Sequence, residues 1–296
     1  MGSLCTHKKG NEMPTVNETI KEATRDHLNL GGLLLAQNVS AVGWIGGTVP
    51  DCNGIVELSN ADVSGAGIAV GAALVGRRPI YVIRYQGFMW YDSAPLLNYA
   101  AKSKEMWGIP CPIFIRSIAS EGAGPVAGGS HHGLVMRMPG IKVFAPMTPD
   151  EWSEGWNWFL EHDEPIYISE HRDSFKINYE MKDVIQPNAK VTLLSISSAR
   201  LSALNILDTD LINITWLKPF KITNLMRYSL KKTGAGLVID SDFEQSGKSI
   251  AHMLMLETGV PVHVLGLEDR TAGFSKDRDN GTPSRERIVE KIREVL

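Results

Sequence analysis

The segment from Asp62 to Ile83 reads D-V-S-G-A-G-I-A-V-G-A-A-L-V-G-R-R-P-I-Y-V-I. Over residues 65–75 it consists of glycine, alanine and aliphatic residues, which predicts a helix that packs closely on its neighbours through small side chains. Residues 80–83 form a short apolar run, typical of a buried parallel strand. A helix followed by a buried strand is one unit of an α/β fold, and the flanking sequence repeats this unit.

Apolar runs and helical patterns alternate on both sides of this segment. The capping box T-x-x-E of Thr15 and Glu18 marks the start of a first helix. Strands are predicted at residues 33–36, 80–83, 112–115, 142–145 and 166–169, and further helices at 65–75, 94–106, 130–138 and 149–161. This alternation predicts a mostly parallel sheet with helices on both faces.

Polar residues and prolines are frequent at residues 172–190, after which the alternation begins again. The second round predicts strands at 191–195, 211–216, 236–240 and 262–265, with helices at 221–232, 245–258 and 284–295. The chain is therefore expected to be α/β with two domains, at 15–180 and 190–296, each with a mostly parallel sheet flanked by helices. A flexible arm is expected at 1–14.

Composition excludes several classes of protein. The 296 residues are 43% hydrophobic and 21% charged, with a net charge of −3, which indicates no nucleic-acid or membrane surface. No apolar run reaches the roughly 18 residues that a membrane span needs. The three cysteines are widely spaced, which predicts reduced thiols in a cytoplasmic protein and no metal site in this chain.

The glycine-rich segment is a poor dinucleotide fingerprint. The G-x-G-x-x-G pattern requires glycine or alanine where Val70 stands, and Tyr85 occupies the place of the acidic residue that binds a ribose. Close packing by small residues is the simpler interpretation.

Four collinear blocks, at residues 62–80, 85–102, 138–150 and 162–170, resemble the β subunits of thiamine-diphosphate-dependent 2-oxoacid dehydrogenase E1 components. They include the stretches Y-Q-G-F and M-P-G-I-K-V-F-A-P-M-T-P-D. The resemblance to transketolases is more distant. The resemblance to E1 β subunits implies a pyrimidine-binding domain followed by a transketolase-type C-terminal domain. The chain has no Gly-Asp-Gly, so an α-type partner subunit would hold the diphosphate and Mg²⁺, in an α2β2 heterotetramer.

The resemblance places Asp62 on the family's glutamate, whose carboxyl group contacts the pyrimidine nitrogen of the cofactor. Aspartate is one methylene shorter, and Glu57 is the alternative acid; either could instead simply cap the following helix. Tyr85 and Phe88 fall on the segment that presents aromatic rings to the pyrimidine. They could equally be core or interface aromatics.

The family's proton-transferring histidine has two possible counterparts. A gapless alignment places Ala127 there, whereas a four-residue deletion places His131 there. The stretch S-H-H-G at residues 130–133 resembles the T-H-H-G of transketolases and favours His131, with His132 beside it. Solvated histidines at a helix start are the structural alternative.

These residues imply an enzyme that decarboxylates a 2-oxo acid with acyl or aldehyde transfer, as an oxidoreductase component. One alternative is the C-terminal half of a split transketolase, a transferase, which the stretch G-L-E-D-R-T-A-G-F at 266–274 also resembles. Another is a catalytically silent scaffold subunit, since the glutamate and histidine positions are altered.

Overall fold

A computed structural model describes residues 13–122, 124 and 128–296, and two sheets carry the fold. The first sheet has the strand order β2-β1-β3-β4-β6-β5-β9, and the second has the order β11-β10-β7-β8. The strands are Leu33–Gln37 (β1), Ile55–Leu58 (β2), Pro79–Ile83 (β3), Phe114–Ala119 (β4), Lys142–Phe144 (β5), Ile166–His171 (β6), Val191–Ile196 (β7), Thr209–Ile214 (β8), Trp216–Lys218 (β9), Gly236–Phe243 (β10) and Val262–Leu267 (β11). Within these sheets only β5 and β9 pair antiparallel. The predicted α/β class is confirmed.

Helices cover the faces of both sheets. They are Val16–Asn29 (α1), Asp62–Leu74 (α2), residues 89–107 (α3, in which Met89–Pro95, the π-helical turn Leu96–Ala100 and Ala101–Trp107 follow one another), His132–Met136 (α4), Pro149–Glu161 (α5), Ala199–Ala203 (α6), Asn224–Thr233 (α7), Glu244–Thr258 (α8) and Arg285–Val295 (α9). The predicted capping box starts α1, because the Thr15 hydroxyl accepts a hydrogen bond from the Glu18 N–H and the Glu18 carboxylate accepts one from the Thr15 N–H.

The glycine-rich helix α2 lies against strand β3. A Cβ on Gly65 would stand 3.2 Å from both the Leu58 Cδ1 and the Tyr81 hydroxyl oxygen. Ala66 and Ala69 are fully buried on the same face. Small residues therefore bring the helix close to the sheet, as the sequence predicted.

The two faces of the first sheet have separate apolar cores. Helices α1 and α5 cover one face, where Phe114 packs against Trp152 and Trp156 with ring centroids 5.4 and 4.9 Å away. Helices α2 and α3 cover the other face, and that core continues into one face of the second sheet through residues such as Leu194 and Val238. The sheets are thus joined by apolar contacts.

Several boundaries differ from the prediction. The strand expected at 211–216 is divided, and its last part forms β9, which joins the first sheet beside β5. Strand β2 was not predicted because it is an edge strand with a partly exposed, broken apolar pattern. The short helix α6 was also missed. The helix expected at 130–138 spans only His132–Met136, and the helix expected from 221 begins at Asn224 behind the cap Thr223.

Residues 1–12 of the predicted N-terminal arm lie outside the described residues, as does Ala127. Cys52 and Cys111 are free thiols. Among the helices of the described part of the chain, we find none whose length and apolar character would suit a membrane span.

Candidate functional site

The carboxyl edge of the first sheet collects polar side chains from neighbouring strands. Gln37 ends β1, Tyr85 follows β3, Glu121 follows β4 and His171 ends β6. Because parallel strands end at the same edge, residues far apart in sequence meet there. This is the edge at which α/β sheets bind ligands.

Asp62 lies at this edge as the first residue of α2. Its side chain is half-buried, and its Oδ1 accepts a hydrogen bond from the Gln37 Nε2 at 3.2 Å. The N-cap position belongs to Ala61, which offers no side-chain cap, so Asp62 does not cap the helix. The other carboxylate oxygen makes no hydrogen bond within the described residues. This free oxygen is available to a ligand.

Glu57 lies elsewhere. It is exposed on the edge strand β2, opposite Ala36 in the strand pairing. No hydrogen bond or ion pair holds its carboxylate in the described part of the chain, and nothing connects it with Asp62. Of the two predicted acids, Asp62 is therefore the better placed.

Tyr85 and Phe88 meet edge to face, with ring centroids 5.9 Å apart. The guanidinium carbons of Arg84 and Arg172 each lie over the Tyr85 ring, 5.1 Å from its centroid. A ligand ring that stacks on Tyr85 must compete with these cation–π contacts. Phe88, which is half-buried and has no such contact in the described structure, is the more open of the two aromatic surfaces.

His132 does not face a cavity. Its side chain is fully buried between the two sheets, with Nδ1 3.1 Å from the Ser169 Oγ and Nε2 3.0 Å from the Asp240 Oδ2. The Asp242 Oδ2 lies 3.7 Å from the same Nε2. Burial is the largest influence and lowers the pKa of His132, but the two carboxylates outweigh it and raise this pKa to about 9. The expectation of a solvated His132 is wrong, because the second sheet covers it.

Asp242 ties the same cluster to helix α4. Its Oδ2 accepts hydrogen bonds from the Gly133 N–H at 2.7 Å and the Ser246 hydroxyl at 2.9 Å. Burial raises the pKa of Asp242, and the nearby His132 acts in the opposite direction. Asp240 and Asp242 were not predicted as site residues, although their place in β10 directly after the apolar run at residues 237–239 could have indicated them.

His131 has different neighbours from His132, since its ring packs against Phe243 with centroids 5.8 Å apart. Its imidazole lines a cavity of about 400 Å³ between the sheets, together with Phe243, Asp269 and Arg270. The Nε2 atom is buried and makes no hydrogen bond within the described residues. Burial lowers the pKa of His131, so the ring is neutral at pH 7. A neutral imidazole is able to take up a proton, but this nitrogen is itself covered by protein.

Gln86, which was not predicted as a site residue, holds the backbone of His131. Its Oε1 accepts a hydrogen bond from the His131 N–H at 2.7 Å. Its Nε2 lies within hydrogen-bond distance of the Ser117 carbonyl (3.1 Å), the Ser169 hydroxyl (2.9 Å) and the Glu170 carbonyl (3.2 Å). This fully buried amide therefore links β4, β6 and the histidine segment.

Asp92 is a further buried acid near the edge. It is 1% exposed and accepts a 2.6 Å hydrogen bond from the Tyr81 hydroxyl. Burial raises its pKa to about 7, despite this hydrogen bond, and the charge of Asp62 adds to the rise. Nothing in its helical surroundings signalled this burial in the sequence.

Glu121, His171 and Asp173 form a group with the donor atoms of a cation site. The Asp173 N–H donates to the His171 Nδ1 at 3.3 Å, so the ring proton resides on Nε2, which faces the Glu121 Oε1 at 3.3 Å. Glu121 also accepts hydrogen bonds from the Thr282 backbone and hydroxyl. Through the hydrogen bonds of Glu121 with Thr282, the group joins the first sheet to the second domain.

Residues 64–177 match the family model for the transketolase pyrimidine-binding domain. A pyruvate dehydrogenase E1 component subunit β from Rickettsia bellii is 26% identical over 273 residues, which cover 81% of this chain and 83% of that protein. A structure titled as a split-gene transketolase, inactive β4 tetramer, aligns with a TM-score of 0.70 at 15% identity, covering 96% of this chain and 98% of that one. Campylobacter jejuni transketolase aligns with a TM-score of 0.71 at 17% identity, over 97% of this chain and 47% of that one.

The fold is that of transketolase-like proteins, and residues 64–177 match their pyrimidine-binding domain. Over most of its length, the chain is similar in sequence to E1 β subunits. Both statements confirm the resemblance found in the sequence.

Proposed function

We propose that the chain is the β-type subunit of a heteromeric thiamine-diphosphate enzyme that decarboxylates a 2-oxo acid and passes on the acyl or aldehyde unit. The similarity to a pyruvate dehydrogenase E1 β subunit over 81% of the chain carries this proposal. The free carboxylate oxygen and aromatic surface at the carboxyl edge support it.

The residues at this edge fit an aminopyrimidine ring. Asp62 would accept a hydrogen bond from a ring nitrogen, and Phe88 and Tyr85 would offer stacking surfaces. When bound, thiamine diphosphate supplies a nucleophilic carbon and an electron sink for cleavage next to a carbonyl. His131 would exchange a proton with the substrate. Glu57 is a weaker candidate because it is exposed, and His132 would position the site rather than contact the substrate.

The proposal includes the domain division and the assembly. Residues 15–180 would serve as the pyrimidine-binding domain, and residues 190–296 as the C-terminal domain. An α-type partner would hold the diphosphate and Mg²⁺, because this chain has no Gly-Asp-Gly. We expect an α2β2 heterotetramer in the cytoplasm.

A second candidate is the C-terminal half of a split transketolase, which transfers a ketol unit. The alignment with the split-gene transketolase chain covers nearly all of both chains and favours it, as does the S-H-H-G stretch at residues 130–133. The greater sequence similarity to E1 β subunits makes it the second choice.

The test is calorimetric titration of thiamine diphosphate with Mg²⁺ into this chain, alone and co-purified with its α-type neighbour. Turnover is then measured with a panel of 2-oxo acids and ketose phosphates. We expect binding only by the pair, and turnover of 2-oxo acids. Asp62→Ala should lower turnover at least about 100-fold, whereas Asp62→Glu should retain it and Glu57→Ala serves as the matched control.

Turnover of ketose phosphates alone would favour the split transketolase. Absence of binding and turnover in an intact pair would leave a catalytically silent scaffold. Equal losses in Asp62→Ala and Glu57→Ala would contradict the assignment of Asp62.

A further inference from the structure

A cavity of about 390 Å³ lies at the amino ends of the strands of the first sheet, opposite the carboxyl edge described above. It is formed where the first strand residue of β5, Lys142, meets the antiparallel strand β9 and the start of α7. Asp62 and Tyr85 lie at the carboxyl ends of the strands, whereas Lys142 lies at an amino end. This cavity is therefore separate from the candidate cofactor site.

Aromatic rings form the walls of the cavity. Trp158 and Trp216 line it with ring centroids 6.4 Å apart and planes inclined at 66°, and Phe220 adds a third ring. Trp158 stacks on His162 at 4.2 Å, and Trp216 packs on Phe144 at 4.5 Å. Each indole is thus supported on one side, while its remaining half-buried surface lines the cavity. Such a slot suits a flat ring.

Positive charge surrounds this aromatic slot. Lys142 and Lys221 line the cavity, and no acidic residue is among its described lining residues. In the described part of the chain, no carboxylate lies within 4.0 Å of the ammonium groups of Lys142, Lys218 or Lys221. Burial lowers the pKa of Lys218, and the charge of Lys142 lowers it further. The lysine charges are therefore not neutralised by the protein.

The acid Glu154 contacts the wall of the cavity from outside. It accepts a 2.6 Å hydrogen bond from the Trp216 indole N–H and is not among the lining residues. The Thr223 hydroxyl, which lines the cavity, accepts a hydrogen bond from the Met226 N–H and keeps its own proton for donation. The Thr223 hydroxyl and the two lysines thus offer donors and positive charge to a ligand in this cavity.

From this combination of aromatic walls and unpaired lysines, we propose that the cavity binds a small organic anion with a planar aromatic body. The ring packs on the aromatic wall formed by Trp158, Trp216 and Phe220, and the anionic group pairs with Lys142 and Lys221. A volume of about 390 Å³ is within the roughly 300–1,000 Å³ of small-molecule sites. A phosphate or a carboxylate supplies the same charge, so the ligand is either a nucleotide-like or an aromatic-acid molecule.

The test uses the full chain and two probes, adenosine 5′-monophosphate and naphthalene-2-carboxylate, titrated by calorimetry. Adenosine and naphthalene-2-carboxamide are the uncharged controls. The Lys142→Met/Lys221→Met double variant removes the charge, Trp158→Leu removes one wall, and Lys190→Met is a control at an exposed lysine elsewhere. Circular dichroism checks that each variant is folded.

We expect one-to-one binding of at least one anionic probe. Binding of the anionic probe should weaken at least about fivefold in the double variant and in Trp158→Leu, and remain unchanged in Lys190→Met. The uncharged control ligands should bind the natural chain more weakly than the anionic probes, by a similar factor. Binding of only one probe would identify the anionic group as phosphate or carboxylate. The proposal is overturned if neither probe binds, or if both bind the folded double variant as tightly as the natural chain.

Discussion

Two adjacent histidines serve different parts of the molecule. The His131 ring lines the cavity between the sheets, whereas the His132 ring is enclosed by Ser169 and two carboxylates of β10. The two residues follow one another at the start of α4, and successive side chains of a helix point in different directions. His131 is the candidate for proton transfer, and His132 contributes to stability.

Replacing His132 should destabilise the fold strongly. His132→Gln leaves the buried carboxylates of Asp240 and Asp242 without a cation, and loss of one partner of a buried ion pair costs about 3–5 kcal/mol. Denaturant unfolding at pH 7 measures the difference in the free energy of unfolding. His131→Gln, which keeps the backbone hydrogen bond to Gln86, should cost less than about 1 kcal/mol. Equal effects of the two substitutions would contradict the buried imidazolium.

The stability should also depend on pH through His132. Its pKa is about 9 in the folded chain and about 6.5 when unfolded, so its contribution is complete below pH 6.5 and is lost as the pH rises to 9. The pKa of Asp92 is also raised, to about 7. Its contribution is therefore lost over a lower range, as the pH rises from about 4 to 7. Unfolding free energies measured from pH 6.5 to 9.5 should therefore fall in the natural chain and fall less in His132→Gln. Parallel curves would show that another group is responsible.

At the scale of elements, helix α2 has two different faces of small residues. Gly65 is buried against Leu58 and Tyr81, whereas a Cβ on Gly67 would meet no atom within 4 Å. Periodicity does not distinguish these glycines, because the whole helix consists of small and aliphatic residues. The position of the sheet decides which of them require the absence of a side chain.

Substitutions on these two faces should have opposite effects. Gly65→Val forces β-branched atoms against the neighbours of Gly65 and should destabilise the chain by about 1–3 kcal/mol. Gly67→Ala adds a methyl group in open space and should stabilise the isolated chain by up to about 1 kcal/mol. Thermal unfolding of the two variants beside the natural chain measures both effects. Destabilisation by Gly67→Ala alone would contradict the packing of α2.

At the scale of the whole molecule, several contacts join the two sheets. Strand β9 pairs with β5, His132 pairs with Asp240, and Glu121 accepts hydrogen bonds from Thr282. The cavity beside His131 is lined by Phe243 and Leu267 of the second sheet. The second sheet therefore helps to shape the candidate site and does not merely follow it in sequence.

The assembly should depend on a second polypeptide. With the α-type partner, light scattering coupled to gel filtration should give a mass that corresponds to two copies of each chain. Thiamine diphosphate with Mg²⁺ should raise the melting temperature of this assembly but not that of the isolated chain. A cofactor-induced shift in the isolated chain would contradict the assignment of the diphosphate and Mg²⁺ to the partner.

Much of the architecture could be predicted from the sequence. The apolar runs indicated nine of the strand positions, and the capping box indicated the start of α1. The segment 62–83 indicated a small-residue helix packed on a buried strand, as observed. These features follow from local patterns of apolar and capping residues, which act through neighbours in the chain.

The tertiary structure alone decided the roles within the site. Placement of β9 in the first sheet, the contact of His132 with Asp240 and the burial of Asp92 against Tyr81 all depend on contacts between residues that belong to different elements. Local periodicity contains no information on which distant carboxylate meets a given imidazole. The sequence by itself determined the α/β fold and placed Asp62 at the start of the small-residue helix, but the packing of one sheet on the other determined which histidine lines the cavity.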